Sequence, residues 1–340
     1  MKGLGKKIVA FAVAATMAMA TLTGCGESAF DNTATVAEVD GVKVTAGVAN
    51  FYLRYQQVAV ESIYKQMVGE DLWITQVDES NTYEDLVKTD AMESLVELYI
   101  LKAHMADYDV TLTEEENAAI DKAAKAFVDA NSKEALEKIS GELAIVKEVM
   151  ELITINEKMH EAIEAEVERE VSDDEAKLKK MTYVQIKTTA TSDDGTSVKM
   201  SDEEVADAKK QAEEILENAK ASGDLLAYAE TAEVEAKELA FDAESDAIAE
   251  EAIKAADALG EGEFAELVEA EDGFYVIQVT SLLDREATDA NKTEILNAEK
   301  EEFYKKVYDA WREEAEVEIK DKVLDKISFQ RLEIKVPAAG

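Results

Sequence analysis

Proline is almost absent from this chain. Of its 340 residues only Pro337 is a proline, and it lies close to the carboxyl end. Because proline removes a backbone donor and breaks helices, its absence predicts long uninterrupted helices and no proline-rich linker between domains. The chain also has one cysteine, Cys25, so no intramolecular disulfide is available. The fold must therefore be held together by packing alone.

The first 24 residues have the pattern of a signal peptide. Three lysines precede an uncharged run over 8–22, which is shorter than the roughly 20 apolar residues that a membrane span needs. The run ends in Leu22-Thr-Gly-Cys25, which resembles the bacterial lipoprotein signal box. The resemblance implies that Cys25 is lipidated and becomes the first residue of the mature chain, anchored to the bilayer outside the cytoplasm. An uncleaved anchor or an ordinary signal peptide are the alternatives.

Acidic residues outnumber basic ones by 76 to 36, which gives a formal net charge of −40. A field of this sign repels phosphates and excludes nucleic acid as a partner. It also disfavours tight contact with an anionic membrane beyond the lipid itself. The charge serves solubility, or it attracts basic unfolded clients.

The amino-terminal arm begins after a flexible tether at 25–33. Two short alternating runs around Asp40-Gly41 predict a β-hairpin, and Thr45 then caps a helix. Thr113-Glu-Glu-Glu116 is a capping box that opens a later helix. A long amphipathic segment over 141–171 follows, and Ser172 caps the next turn at the boundary of the arm.

The central stretch over 181–280 alternates strand and helix signals. Met181–Lys187 and Gly273–Val279 are β-branched and aromatic runs that predict strands. Ser201-Asp-Glu-Glu204 is a capping box that opens a helix, which stops at Gly223. A second, short helix is predicted over Leu225–Thr231. A small mixed sheet with helices packed on it fits this order.

The carboxyl-terminal arm is predicted to be mostly helical. Residues 284–288 are interpreted as a loop, and Thr293–Ile319 as a helix with one apolar face. Trp311 lies on that face and is interpreted as an interdomain core residue, with a client contact as the alternative.

The two arms resemble the ends of PrsA-type foldase lipoproteins and SurA-like chaperones. The resemblance rests on Val36-Ala-Glu-Val-Asp-Gly-Val-Lys-Val-Thr45 and on Trp311, Val317 and the run over 323–327. It implies a mostly helical α+β fold in which 34–175 and 286–336 form one discontinuous, chaperone-like helical domain. A small α/β domain over 176–285 is then inserted between them.

The inserted stretch resembles the parvulin family of peptidyl-prolyl isomerases. The resemblance rests on Ala212-Glu-Glu-Ile-Leu216, Gly223-Asp-Leu-Leu-Ala-Tyr-Ala229, Ala255-Ala-Asp-Ala-Leu259 and the closing strand. The family uses two histidines with a Cys or Asp between them, and Met and Phe around the proline ring. The matching positions here are Gln185, Tyr275, Ile248 and Ala252. Isomerase activity is therefore predicted to be weak or absent.

Aromatic and methionine side chains on the amino-terminal arm are candidates for contacts with clients, because methionine repacks around varied partners. The same spacing is typical of core residues, and that interpretation is favoured for any single position. The client-binding candidates are Tyr52, Tyr55, Tyr99 and Met105, with Tyr64, Met67, Met92, Met150 and Met159 also noted. His104 and His160 are interpreted as structural or surface histidines and not as metal ligands.

These patterns favour a lipid-anchored extracytoplasmic chaperone that holds unfolded exported proteins, with no cofactor and no metal. An active peptidyl-prolyl isomerase is the first alternative. A substrate-binding lipoprotein of a transporter is the second, although that class has more strands than this chain predicts. A homodimer remains an open alternative.

Overall fold

The computed structural model describes residues 18–19, 30–69, 71–191, 197–331 and 334–335. The chain divides into a helical unit, Met1–Val167 with Lys300–Gly340, and a sheet unit, Glu168–Glu299. The predicted fold class, a mostly helical α+β chain with one segment inserted into a discontinuous unit, is confirmed. Cys25, the signal peptide apart from 18–19, and most of the tether lie outside the described residues.

Helices form most of the helical unit. They are α1 (Ala46–Val68), α2 (Tyr83–Ala103), α3 (Glu114–Ala130), α4 (Lys133–Ile139), α5 (Leu143–Glu164) and α11 (Asp321–Leu324). Short 3₁₀ turns lie at Leu72–Ile74, Met105–Tyr108 and Phe329–Arg331. The predicted capping box at Thr113 and Glu116 opens α3, and Thr82 with Asp85 forms another at the start of α2. Each box satisfies backbone N–H groups that the first helical turn leaves unpaired.

A three-stranded antiparallel sheet joins the two ends of the helical unit. Strand β2 (Thr35–Val39) pairs with β3 (Val42–Thr45) on one side and with β10 (Val317–Ile319) on the other. The predicted hairpin is confirmed, and Asp40 and Gly41 both have positive φ angles in its turn, as a two-residue hairpin loop requires.

Strand β10 corrects the predicted helix over Thr293–Ile319. The helix ends at Glu314, and Val317 and Ile319 pair with Val39 and Ala37. Two β-branched residues with one residue between them fit a strand that completes a free sheet edge.

The core of the helical unit lies among α1, α2 and α5. Leu53, Leu95 and Leu152 are fully buried there. Gly47 of α1 faces α5 so closely that a Cβ on it would lie 2.6 Å from the Ile145 side chain. Glycine therefore permits the close approach of these two helices.

The sheet unit is built on a four-stranded sheet in the order β7-β4-β9-β8. Its strands are β4 (Lys179–Lys187), β7 (Lys237–Phe241), β8 (Val268–Ala270) and β9 (Gly273–Ser281), and a separate hairpin contains β5 (Thr189–Thr191) and β6 (Ser197–Lys199). Every pairing in the four-stranded sheet is antiparallel, so the predicted mixed sheet is wrong. The short strands β7 and β8, which lack strong patterns, escaped the sequence analysis.

Helices cover both faces of this sheet. Helices α7 (Asp202–Ser222) and α8 (Leu225–Ala232) lie on one face, and α9 (Glu250–Asp257) lies on the other. The unit also contains α6 (Asp173–Ala176) and the first part of α10 (Arg285–Glu314), whose last part belongs to the helical unit. Phe274 and Val276 of β9 pack with α7 and α8, whereas Tyr275 and Ile277 pack with α9. This alternation follows from the two-residue period of a strand.

The start of α10 corrects the loop predicted over 284–288. The helix begins at Arg285 because Asp284 acts as its cap, with its carboxylate accepting from the backbone N–H of Ala287 at 3.1 Å. The predicted capping box at Ser201 and Glu204 and the helix stop at Gly223 are confirmed.

A two-residue pairing joins β1 (Ala18–Met19) to β11 (Ile334–Lys335). None of the helices in the described ranges has the length and apolar character to cross a bilayer.

Candidate functional site

The sheet unit places two of the four family-matched positions side by side. Gln185 on β4 and Tyr275 on β9 are direct cross-strand partners. Both side chains point to the same carboxylate: Gln185 Nε2 and the Tyr275 hydroxyl each donate to Asp272 Oδ2 at 2.7 Å. The three residues form a polar cluster, here named the Asp272 cluster.

Asp272 is the site residue that sequence reasoning missed. It lies in the turn before β9, and its backbone carbonyl accepts from the N–H of Thr188 at 3.2 Å. Gly273 follows with φ of +155°, and a Cβ there would lie 2.3 Å from the carbonyl oxygen of Ile186. Glycine is therefore needed for the close approach that aims Asp272 at Gln185. An acid–glycine pair before a strand was the available signal, but it is common in turns.

The apolar positions of the family match lie beside Tyr275. Ala252 of α9 is fully buried in the same core cluster as Tyr275, and Ile248 packs against that cluster while partly buried. Tyr275 itself is 1% exposed. Burial, and next the hydrogen bond to Asp272, raise the pKa of the Tyr275 hydroxyl far above its ordinary value. The phenol is therefore neutral at physiological pH.

The chemistry of the Asp272 cluster is that of an acceptor. The Tyr275 hydroxyl and one N–H of the Gln185 amide both donate hydrogen bonds to Asp272 Oδ2. Asp272 Oδ1 and Thr182 Oγ1 are the two buried side-chain atoms without a hydrogen-bond partner in the described part of the unit. A carboxylate oxygen accepts from N–H or ammonium groups and repels a peptide carbonyl. The cluster thus lacks the pair of imidazoles that the parvulin resemblance would require.

The predicted client-binding residues have different surroundings in the helical unit. Tyr52 and Tyr99 are each 5% exposed and belong to the main core. Tyr55 and Met105 are partly buried, and each packs against a core cluster. These placements fit the core interpretation of such residues, and the client contacts of all four stay a prediction.

Exposed apolar side chains concentrate at the end of α1 and the start of α2. Met67 is 80% exposed and Ile63 is 61% exposed. Of the ten large apolar side chains exposed in the described residues, seven lie between 63 and 86. This surface, here named the apolar tip, consists of Ile63, Tyr64, Met67, Val68, Ile74, Val77 and Leu86.

Ring contacts connect the parts of the apolar tip. The ring of Tyr64 on α1 lies 6.2 Å from that of Tyr83 on α2. Tyr83 in turn stacks on Trp73 of the 3₁₀ turn at 6.0 Å between centroids. These ring contacts therefore connect the end of α1, the 3₁₀ turn and the start of α2 with one another.

Acidic residues surround the apolar tip. Between 61 and 90 the sequence has eight acidic residues and two lysines. Asp71, Asp78, Glu79 and Asp85 are exposed there, whereas Lys88 is buried. An apolar surface with an acidic rim is complementary to segments that combine apolar and basic residues.

The two histidines have structural surroundings, as predicted. His104 stacks on Trp311 at 4.1 Å, and its Nδ1 lies 2.6 Å from Asp107 Oδ2. His160 stacks on Tyr304 at 3.5 Å. Trp311 makes these contacts within the helical unit, so its assignment between domains is corrected. Within the described ranges no group of three or more His, Cys, Asp and Glu side chains is arranged to hold a metal ion.

No family model and no curated protein matches this sequence. Solved structures do match it. A SurA-like chaperone of Campylobacter jejuni has 12% identity and a TM-score of 0.32, with 85% of this chain and 99% of that chain covered.

Two foldase structures give similar values. The foldase PrsA of Streptococcus pneumoniae has 19% identity and a TM-score of 0.30, covering 71% of this chain and 90% of that one. PrsA of Lactococcus lactis has 16% identity and a TM-score of 0.33, covering 87% and 100%.

Proposed function

We propose that this protein is an extracytoplasmic holding chaperone that binds non-native exported polypeptides on its apolar tip. The observation that carries the proposal is the concentration of exposed apolar side chains between the end of α1 and the start of α2. Scattered apolar side chains are normal on a folded protein, but a contiguous patch marks an interaction surface. The tip has the character of a surface for varied partners, because Met67 is unbranched and repacks readily.

Charge adds selectivity to this surface. The net charge of −40 and the exposed acids around the tip attract basic segments at long range. Unfolded chains expose apolar residues together with their lysines and arginines. They therefore offer both features that the tip and its rim complement.

The sheet unit is proposed to have weak or no isomerase activity. Rotation about an X–Pro bond meets a barrier of about 20 kcal/mol, and a catalyst needs polar groups free to act on the twisted amide. In the Asp272 cluster the hydroxyl of Tyr275 is buried and donates to a neighbouring carboxylate. The hydroxyl proton is therefore held in the hydrogen bond to Asp272 and cannot be donated to a substrate amide at the same time.

An active isomerase remains the second candidate, and one observation favours it. Gln185 and Tyr275, the positions that match the family's histidines, do meet across the sheet and share Asp272. A polar cluster at that location would act through groups that the family does not use.

Anchoring is proposed through Cys25, whose sulfur would carry a diacylglycerol chain. Two or more acyl chains hold a protein stably on a bilayer, whereas one gives marginal binding. The variant Cys25→Ser is expected to appear in the soluble fraction outside the cytoplasm. Unchanged membrane fractionation of that variant would contradict the assignment.

The holding activity is tested by suppression of aggregation of a chemically unfolded basic protein, with an isomerase assay run beside it. The triple variant Ile63→Ser, Met67→Ser and Val68→Ser is expected to need about tenfold more protein for the same suppression. The matched control replaces three apolar residues with similar exposure outside the tip, by Val42→Ser, Leu143→Ser and Val198→Ser. This control is expected to act like wild type. Equal loss in both triples, or family-typical isomerase turnover, would overturn the proposal.

A further inference from the structure

A groove beside the apolar tip already holds a short piece of this chain. Ser328 and Phe329, near the carboxyl end, lie among α1, α2 and the 3₁₀ turn at Leu72–Ile74. The ring of Phe329 is 1% exposed. It meets the ring of Trp73 edge-on at 4.8 Å, and the Arg54 guanidinium lies 5.7 Å from its centroid.

Three side chains of the groove hold the main chain of this piece. Glu84 Oε1 accepts from the backbone N–H of Phe329 at 2.8 Å. Gln57 Nε2 donates to the carbonyl of Phe329 at 3.3 Å, and Arg54 Nη2 donates to the carbonyl of Ser328 at 3.0 Å. Both polar groups of residue 329 are thus bound by side chains from α1 and α2.

The groove makes little demand on the sequence of its occupant. The strong bonds go to backbone groups that every residue except proline carries. The Ser328 hydroxyl is 3.5 Å from Glu84 Oε2, at the limit of a hydrogen bond. One aromatic ring in the Trp73 pocket is therefore the main side-chain requirement.

Hydrogen bonds and ring contacts connect the groove to the apolar tip. Trp73 Nε1 donates to Glu61 Oε1 at 2.9 Å, and Gln57 Nε2 donates to the same oxygen at 2.8 Å. Trp73 also stacks on Tyr83 below the apolar tip. Arg54 is 5% exposed, and its Nε finds no hydrogen-bond partner within the described residues. Residues 328–330 therefore do not bind every hydrogen-bond donor of the groove, because Arg54 Nε is left over.

We propose that this groove is a peptide-binding site that residues 328–330 occupy in cis, and that a client segment with an aromatic residue replaces them in the same turn conformation. Arg54, Gln57 and Glu84 bind the main chain of the occupant, and Trp73 recognises its aromatic ring. It rests on the proposed function, because it names the client segment that a holding chaperone would bind next to the tip.

The test measures binding of labelled nine-residue peptides to the full mature chain by fluorescence anisotropy. One probe copies residues 325–333, a second is unrelated but has one central phenylalanine, and a third replaces the phenylalanine of the first with alanine. The variant Phe329→Ala weakens the cis occupant. Phe127→Ala is the matched control, because it removes a buried ring whose ring contact is with Phe51 and not with Trp73 or Phe329.

We expect Phe329→Ala to bind both phenylalanine probes at least tenfold more tightly than wild type, and the alanine probe no better. The double variant Phe329→Ala with Glu84→Gln is expected to bind the phenylalanine probes at least threefold more weakly than Phe329→Ala alone. No gain in Phe329→Ala, or an equal gain in Phe127→Ala, would overturn the proposal. So would a gain that appears only with dimers in sedimentation, since the segment would then exchange between copies.

The two proposals fail in distinguishable ways. If the tip variants lose holding activity but Phe329→Ala gains no peptide affinity, the groove proposal alone is wrong. If wild type shows no holding activity, the proposed function is wrong, whatever the peptides do.

Discussion

The helical unit and the sheet unit differ in where they place the groups that could contact another molecule. The helical unit leaves seven large apolar side chains exposed between 63 and 86, and in the adjacent groove its side chains bind the backbone of Phe329. In the described part of the sheet unit, Val198 is the exposed large apolar side chain, and the Asp272 cluster satisfies its donors internally. The proposed function therefore assigns polypeptide binding to the helical unit and little or no catalysis to the sheet unit.

The largest expected difference in stability between the units follows from a substitution of Arg54. Burial lowers the pKa of its guanidinium to about 10, against the attraction of Glu84 and Glu61, so it is charged at neutral pH. The variant Arg54→Met would leave two buried carboxylates without their cation and should cost the helical unit about 3–5 kcal/mol.

Tryptophan fluorescence during urea unfolding measures this directly, because both tryptophans of the chain, Trp73 and Trp311, belong to the helical unit. Hydrogen exchange of β9 should stay unchanged in the same variant. A fall of less than 1 kcal/mol would show that the buried charges are solvated or neutral.

Local signals were the part of this fold that could be read from the sequence. The capping box at Ser201 and Glu204 and the hairpin at Asp40-Gly41 each depend on a few neighbouring residues. Strand β10 was missed because its partner β2 lies almost 280 residues earlier in the chain. Pairings at that separation leave no local pattern.

The candidate sites show the same limit. Gln185 and Tyr275 were identified by family resemblance, but Asp272 joins them only through the register that pairs Lys187 with Gly273. Met67 and Tyr64 were noted as possible contacts on composition alone. Their exposure, and the burial of Tyr52 and Tyr99, depend on how α1 and α2 pack.

Raising the pH from 9 to 11 should lower the unfolding free energy of the two units by different amounts, and this is the next largest expected effect. Tyr52, Tyr99 and Tyr304 of the helical unit are buried, and burial raises the pKa of each hydroxyl. Their stabilising effect is present below the unfolded pKa near 10 and is lost as pH rises through the folded pKa values. Between pH 9 and 11 we expect a loss of about 1 kcal/mol for each of Tyr99 and Tyr304, or about 2 kcal/mol for the two together, and a further loss in the same direction from Tyr52.

The sheet unit should lose only about 1 kcal/mol over the same range, because Tyr275 is its one buried tyrosine with a raised pKa among the described residues. Urea unfolding at the two pH values, followed by fluorescence and by hydrogen exchange, makes the comparison. Equal losses in both units would contradict it.

Salt tests whether the acidic rim contributes to client binding. Raising NaCl from 0.05 to 0.5 M shortens the Debye length from over 10 Å to below 5 Å. We expect the affinity for an unfolded basic client to fall about fivefold, and that for an unfolded acidic client to stay level or rise. Isothermal titration at both salt concentrations measures this, and identical behaviour of the two clients would assign the negative charge to solubility alone.

The smallest effect on client binding is expected from Tyr275→Phe in the sheet unit. The change removes one donor to Asp272 while Gln185 still donates to it, so the loss should be about 1–2 kcal/mol in that unit. Holding activity should be unchanged. A large loss of holding activity at unchanged stability would place client binding at the Asp272 cluster and reverse the comparison.

The central claim, that clients bind the apolar tip, is tested most directly by site-specific photocrosslinking. A benzoylphenylalanine placed at Met67 is compared with one at Val198, which is about half exposed in the sheet unit. With an unfolded basic client, we expect strong crosslinks from position 67 and few from position 198. Equal crosslinking at both positions, or crosslinks from position 198 alone, would contradict the account.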